Sequence, residues 1–411
     1  MGLCLLWSPA VEAYDFMVDG LCYKLNAPGA TSVIVVRESD NTPSYPNLSG
    51  EVTIPPTVTH DGKTYTVTAI IAKAFEGCSE ITGFVFPNTI GLVGVNAFMG
   101  TGWYENLPDG VVYVSRVAYK YKGTMPEGSE VVIKDGIETI AEDAFRGCSG
   151  LSHLVIGNSV QLIYENAFNN CKDLETASLG NSLISIRQGA FRDCSKLTSI
   201  TIPDKVRIIG NNAFYKCSSM EFVHIGEGLR SVGREAFVGT NLKKVDISDL
   251  YSWCLITFAA SGNPLGIAGH LYLNGNEITD LKIPETVTTI NYSAFAEGVG
   301  FVSLTIPKSV TSIGDAAFIG CNRLKSIYVS WQQPLELSST SCIFCRIDTN
   351  ACTLYIPEGA GAYWTKPIWK DFPHISYWNP NGGISLKYDV NGDGIVDVSD
   401  VSDIINAILG K

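Results

Sequence analysis

The residues best suited to chemistry lie near the carboxyl end. Asp389, Asn391, Asp393, Asp397 and Asp400 put side-chain oxygens at positions 1, 3, 5, 9 and 12 of a twelve-residue loop. Gly394 sits at position 6, where the chain must turn sharply, and Ile395 offers its backbone carbonyl at position 7. Hard oxygen donors at this spacing suit a hard cation that takes roughly six to eight oxygens, which points to Ca2+. The alternative is a solvated acidic turn. The following residues Val401, Ile404, Ile405, Ile408 and Leu409 recur at helical spacing, so a helix is expected to leave the loop.

Other reactive side chains form weaker patterns. The five histidines, His60, His153, His224, His270 and His374, are scattered and none falls in a nucleophile, metalloprotease or phosphate-loop motif. Catalysis is therefore not expected. Cys342-x-x-Cys345 followed by Cys352 invites zinc or redox chemistry. A zinc site needs a fourth close donor and a redox motif a strand-to-helix turn, so a loop disulfide suits the pattern better. The net charge of −12 disfavours nucleic acid as a partner. No stretch approaches the ~20 apolar residues of a membrane-spanning helix.

These residues must be positioned by a repeating chain. Ala-Phe recurs at Phe75, Phe98, Phe145, Phe168, Phe191, Phe214, Phe237, Phe295 and Phe318, and neighbouring copies from Phe145 to Phe237 are 23 residues apart. A fixed period of this length predicts a solenoid in which each coil buries its core against the next. The copy from Phe191 continues through Cys194, Leu197, Ile200, Ile202-Pro203, Val206 and Ile209-Gly210. Alternation over Ile200-Thr201-Ile202 predicts one short parallel strand per coil, ended by the proline. The longer gap from Phe98 to Phe145 implies a degenerate unit with Val131 and Ile133 in its strand. The gap from Phe237 to Phe295 implies an insertion at about 250–271, containing Trp253, Cys254 and Phe258. That insertion is either a binding loop or packing for an irregular coil. Cys78, Cys148, Cys171, Cys194, Cys217 and Cys321 all lie three residues after a repeat phenylalanine, so they read as a small buried position. Gly210 and Gly314 read as turn residues.

The Ala-Phe pairs, the Ile-Pro steps at 54–55, 202–203, 283–284 and 306–307, and the repeat cysteines resemble the BspA-type bacterial leucine-rich repeats over about residues 50–330. The resemblance implies a non-enzymatic surface or secreted protein with protein ligands, host matrix proteins among them. The acidic loop is of EF-hand type and resembles one half of a type I dockerin, with Asp400 where an EF-hand has Glu. A full dockerin has two such halves and binds a cohesin, so a cohesin-like or self partner is implied only for the half present. Residues 1–13 look like the remnant of a secretory signal ending at Ala13, which favours export. The expected organisation is an N-terminal cap at 14–66, the solenoid at 67–330, a C-terminal cap at 331–378, a linker at 379–386 and the half-dockerin at 387–411. Trp364, Trp369, Phe372 and Trp378 are expected to close the core of the second cap, with carbohydrate stacking as the alternative.

Strand side chains alternate, so residues flanking the central strand position should line up coil by coil on the outside. The ladder runs His153/Val155, Thr176/Ser178, Ser199/Thr201, Phe222/His224, Lys244/Asp246, Asp280/Lys282, Ser303/Thr305 and Ser326/Tyr328. Small hydroxyls suit a tightly curved sheet, whereas exposed aromatics anchor interfaces. The expected contact residues are Phe222, His224, His153, Lys244, Asp246 and Tyr328. Recognition or adhesion at a bacterial surface is the leading expectation. A structural module docking through the calcium segment and a glycan-binding accessory protein are the alternatives.

Overall fold

The computed structural model describes residues 14–338, 340–379 and 383–384. The signal-like segment 1–13 and the calcium loop 389–400 lie outside the described residues. The chain divides between Leu174 and Glu175 into two compact units, each a coiled repeat array.

In the first unit, strands Phe16–Val18, Leu21–Leu25 and Ser32–Val36 form an antiparallel meander. Its last strand joins Lys63–Ile70 in parallel, and that strand joins Leu92–Val93 in the same sense. The β-branched run Val33 to Val36 is buried, as a strand covered on both faces should be. The degenerate unit forms the expected strand, Ser129–Ile133, with Val131 opposite Leu154 and Ile133 opposite Ile156. Its missing phenylalanine is replaced by Tyr121, 23 residues after Phe98, whose ring lies 6.3 Å from that of Phe145.

The second unit shows why the phrase Ala-Phe repeats. Each repeat phenylalanine is fully buried, and rings of adjacent coils stack where the period is unbroken: Phe191 on Phe214 at 5.4 Å, Phe214 on Phe237 at 5.2 Å, Phe295 on Phe318 at 5.4 Å. The backbone repeats the contact, since Phe214 N–H donates to Ala236 O and Phe295 N–H to Ala317 O, both at 2.8 Å. Alanine leaves room for this approach. Burying each ring contributes about 1.5–3 kcal/mol. The main strands Ser199–Ile202, Phe222–Ile225, Lys244–Ile247 and Leu271–Leu273 pair in parallel and in register. A second bridge of only two residues follows in each coil, as in Ile208–Ile209 beside Ser231–Val232.

The residue before Ala-Phe takes a left-handed conformation in coil after coil: Asn96, Asp143, Asn166, Asn212 and Ala316 have φ between 53° and 58°. Asparagine and aspartate tolerate this geometry, which explains their frequency there. Gly210, read as a turn residue, serves a different purpose. A Cβ there would lie 2.5 Å from Gln188 N in the preceding coil, so glycine permits close approach between coils.

The repeat cysteines also do more than fill space. The Sγ of Cys171, Cys217 and Cys321 donates to the carbonyl of Phe145, Phe191 and Phe295 respectively, at 3.1–3.2 Å, linking each coil to its predecessor. Burial raises the thiol pKa of Cys171 and of Cys321, the latter to about 12. Cys342 and Cys345 form a disulfide within the loop, while Cys352 is a buried free thiol.

The insertion packs. Trp253, Cys254 and Phe258 are buried, and Trp253 Nε1 donates to Ala294 O at 2.9 Å, stitching this region to the Phe295 coil. Asn263 Nδ2 adds a bond to Ser293 O at 2.8 Å. The insertion also ends one sheet. Leu271–Leu273 turns back through Asn276–Glu277, and a new sheet begins at Asp280–Lys282. That sheet continues through Ser303–Ile306, Ser326–Val329, Thr353–Pro357 and His374–Asn379. Ile343-Phe344 takes the place of Ala-Phe after Phe318: Phe318 N–H donates to Ile343 O, and the rings stack at 5.6 Å. Trp369 and Phe372 close the core as expected. Trp364 is half exposed, because the 3-10 turn carrying it buries the adjacent Tyr363 instead.

Candidate recognition surface

The four-residue strands Phe222–Ile225 and Lys244–Ile247 bury Val223, Ile225, Val245 and Ile247 on the inner face. Their alternate residues face outward, and parallel register places Phe222 beside Lys244 and His224 beside Asp246. The structure thus brings together Phe222, His224, Lys244 and Asp246. His153 belongs to the first unit, opposite Glu130 on its own sheet. Tyr328 lies on the separate C-terminal sheet of the second unit.

Asp246 departs from the expected open ladder. It is only 7% exposed, because His224 and the turn at Asn274-Gly275 cover it. Gly275 N–H donates to Asp246 Oδ1 at 2.8 Å, and His224 Nδ1 lies 2.9 Å from Oδ2. An ionised carboxylate can only accept, so Nδ1 carries the proton. In the neutral ring Nε2 is then an acceptor, receiving the Ser248 hydroxyl at 3.1 Å.

Aspartate, histidine and serine in this order match the connectivity of a hydrolase triad, but several neighbouring donors are already bonded within the fold. Ser248 N–H donates to Ile225 O, Asn274 N–H to Ile247 O and Gly275 N–H to Asp246. Asn274 Nδ2 reaches Ser248 O at 3.3 Å. None of these is left to hold an oxyanion beside Ser248. The chain of bonds fixes the imidazole and ties three turns of backbone together.

Sequence reasoning expected Asp280/Lys282 to follow Lys244/Asp246. The structure instead places Leu271–Leu273 there, with Tyr272 opposite Asp246. Lys244 consequently lies between two rings, its Nζ 5.4 Å from the Phe222 centroid and 4.3 Å from that of Tyr272. The Tyr272 hydroxyl pKa is raised by desolvation and by the Glu277 carboxylate, which keeps the phenol neutral. The alternation Leu271-Tyr272-Leu273 was the available signal for this strand. It lay inside a segment that otherwise broke the repeat.

A second aromatic group surrounds Tyr328. Tyr355 stacks on it at 4.5 Å, and Trp378 meets it edge-on at 5.1 Å while donating from Nε1 to Val329 O at 2.8 Å. Trp378 thus lies half-buried on the outer face, outside the core it was expected to close. The Ile356-Pro357 step marks the strand carrying Tyr355 as one more repeat strand. Among the described residues no group of His, Cys, Asp and Glu side chains could hold a metal ion, and no helix is long and apolar enough to cross a membrane.

Stacked coils with one main parallel strand each, an inner phenylalanine column and an outward ladder define a leucine-rich-repeat protein. The chain belongs to the BspA type leucine-rich repeat family, whose repeat region matches in six copies over residues 63–148, 113–243 and 266–350. No curated protein matches the sequence. Among solved structures, a leucine-rich repeat protein from Bacteroides ovatus is 20% identical, with 89% of this chain and 100% of that one covered and a TM-score of 0.39. The leucine-rich repeat protein of T. pallidum is 24% identical over 51% of this chain and 82% of its own, at a TM-score of 0.33. A leucine rich cell surface protein from Faecalibacterium prausnitzii is 19% identical over 89% and 94%, at 0.29.

Proposed function

We propose that this chain is an exported, non-enzymatic protein of the bacterial surface that recognises protein ligands through the outer face of its second unit. The observation that carries this reading is the Phe222–Lys244–Tyr272 group. It combines two outward aromatic rings, the side chains that anchor interfaces, with a cation held against them. Family membership supports protein binding over catalysis, as does the structural use of the Ser248, Asn274 and Gly275 backbone donors. The oxygen-donor set at Asp389, Asn391, Asp393, Ile395, Asp397 and Asp400 supports a calcium-binding C-terminal segment that orders or docks the end of the chain.

The test is a binding screen of residues 14–411 against matrix proteins, mucin and glycans, in calcium and in chelator, beside a chain ending at Asn379. Binding that survives truncation and chelation but weakens in Phe222→Ala and His224→Ala supports recognition by the repeat face. Binding that both variants retain, or that truncation abolishes, refutes it.

A further inference from the structure

We propose that Lys244 anchors a single carboxylate on the partner, and that the segment it recognises carries Asp or Glu next to an apolar side chain. This rests on the recognition reading above and names the chemistry of its ligand. The neighbouring carboxylates already have partners: Asp246 is hydrogen-bonded by His224 and by Gly275 N–H, Glu221 pairs with Lys243, and Glu277 lies 2.6 Å from His270 Nδ1. Among the described residues no carboxylate lies within ion-pair reach of Lys244, although acidic residues outnumber basic ones by 41 to 29 in the chain. Supply does not explain the vacancy.

The rings of Phe222 and Tyr272 flank the ammonium and shield part of it from water without neutralising it. Two rings beside the ammonium restrict where it can go, so less of the side-chain entropy that normally opposes lysine binding remains to be lost. An arriving carboxylate meets a cation that is already placed and partly desolvated, where attraction exceeds its value in open water. The half-buried Phe222 ring next to it suits an apolar neighbour of that carboxylate. A polyanion fits poorly, because the site offers one lysine on a chain of net charge −12.

The test selects short random peptides displayed on phage against the immobilised full chain, then measures synthetic copies by calorimetry. Lys244→Met keeps an apolar stem between the rings and removes the charge, and its melting temperature verifies folding. Enriched peptides should carry Asp or Glu beside an apolar residue. Their binding should fall about tenfold with Lys244→Met and by less with Lys244→Arg. Replacing the peptide acid by its amide should cost as much against the native protein and nothing further against Lys244→Met. Peptides that need Phe222 yet bind Lys244→Met normally would overturn the carboxylate inference while leaving recognition by this face intact. Peptides indifferent to both Phe222→Ala and Lys244→Met would overturn both. Carboxylated glycans captured through Lys244, with no peptide enriched, would overturn the assignment of a protein partner.

Discussion

Phe214→Ala isolates the interaction on which the second unit depends. Phe214 is fully buried between Phe191 and Phe237, nearly parallel to both, at 5.4 and 5.2 Å. Truncation to alanine forfeits the burial of the ring, about 3 kcal/mol at most, and leaves a cavity that adds to the loss, roughly 4 kcal/mol together. This falls within the ~3–5 kcal/mol usual for such changes. Relaxation should recover little, because hydrogen bonds hold the coils on both sides: Phe191 N–H to Ala213 O and Phe214 N–H to Ala236 O, each 2.8 Å. A repeat array transmits stability only between neighbours, so the gap should also weaken coupling across this coil and broaden unfolding or divide it into steps. The assay is equilibrium urea unfolding by far-UV circular dichroism and by fluorescence, to which the buried Trp253 contributes. Ile208→Ala, at a side chain 49% exposed in the same unit, is the control and should change stability by less than about 1 kcal/mol. A loss below about 1 kcal/mol for Phe214→Ala, or equal losses for both variants, would refute the stacked-core argument.

The remaining predictions concern protons, backbone and metal. Burial pushes the thiols of Cys254 and Cys321 from 9.0 up to about 12. Their protonated forms therefore support the fold fully below pH 9.0, and this support is lost as pH rises toward about 12, when unfolded thiols ionise and folded ones resist. Urea midpoints measured from about pH 8 to about pH 10.5 should fall, and the fall should be shallower in a Cys254→Ala, Cys321→Ala double variant; equal slopes would contradict the linkage. Ala316→Gly should raise stability by about 0.5–1 kcal/mol, since φ is 56° there and glycine removes the left-handed penalty; thermal melting measures it, and a clear loss would contradict the backbone assignment. Terbium luminescence sensitised by Tyr388, next to Asp389, should report binding at the C-terminal loop and vanish in Asp389→Ala with Asp393→Ala. Undiminished luminescence in that variant would place the metal elsewhere.

Period and alternation made the repeat class, the inner phenylalanine column, the degenerate unit at Val131 and Ile133, and most of the cysteine positions legible in the sequence. Each follows from local spacing, because a residue repeated every 23 positions must occupy the same place in every coil. The role of the Asn and Asp residues before Ala-Phe was visible only as composition; their left-handed geometry appears once the coil closes. Other features needed contacts between coils. Gly210 looks like a turn residue in sequence, but its function is set by a backbone atom more than twenty positions earlier. Asp246 looks like an exposed ladder residue until His224 from one coil and Gly275 from a later turn converge on it. The insertion likewise concealed a strand, and only the folded sheet brings Tyr272 against Lys244 to complete the aromatic pair. Spacing along the chain determines which residues share a column, whereas the face of the site depends on register across an irregular coil, which no local pattern encodes.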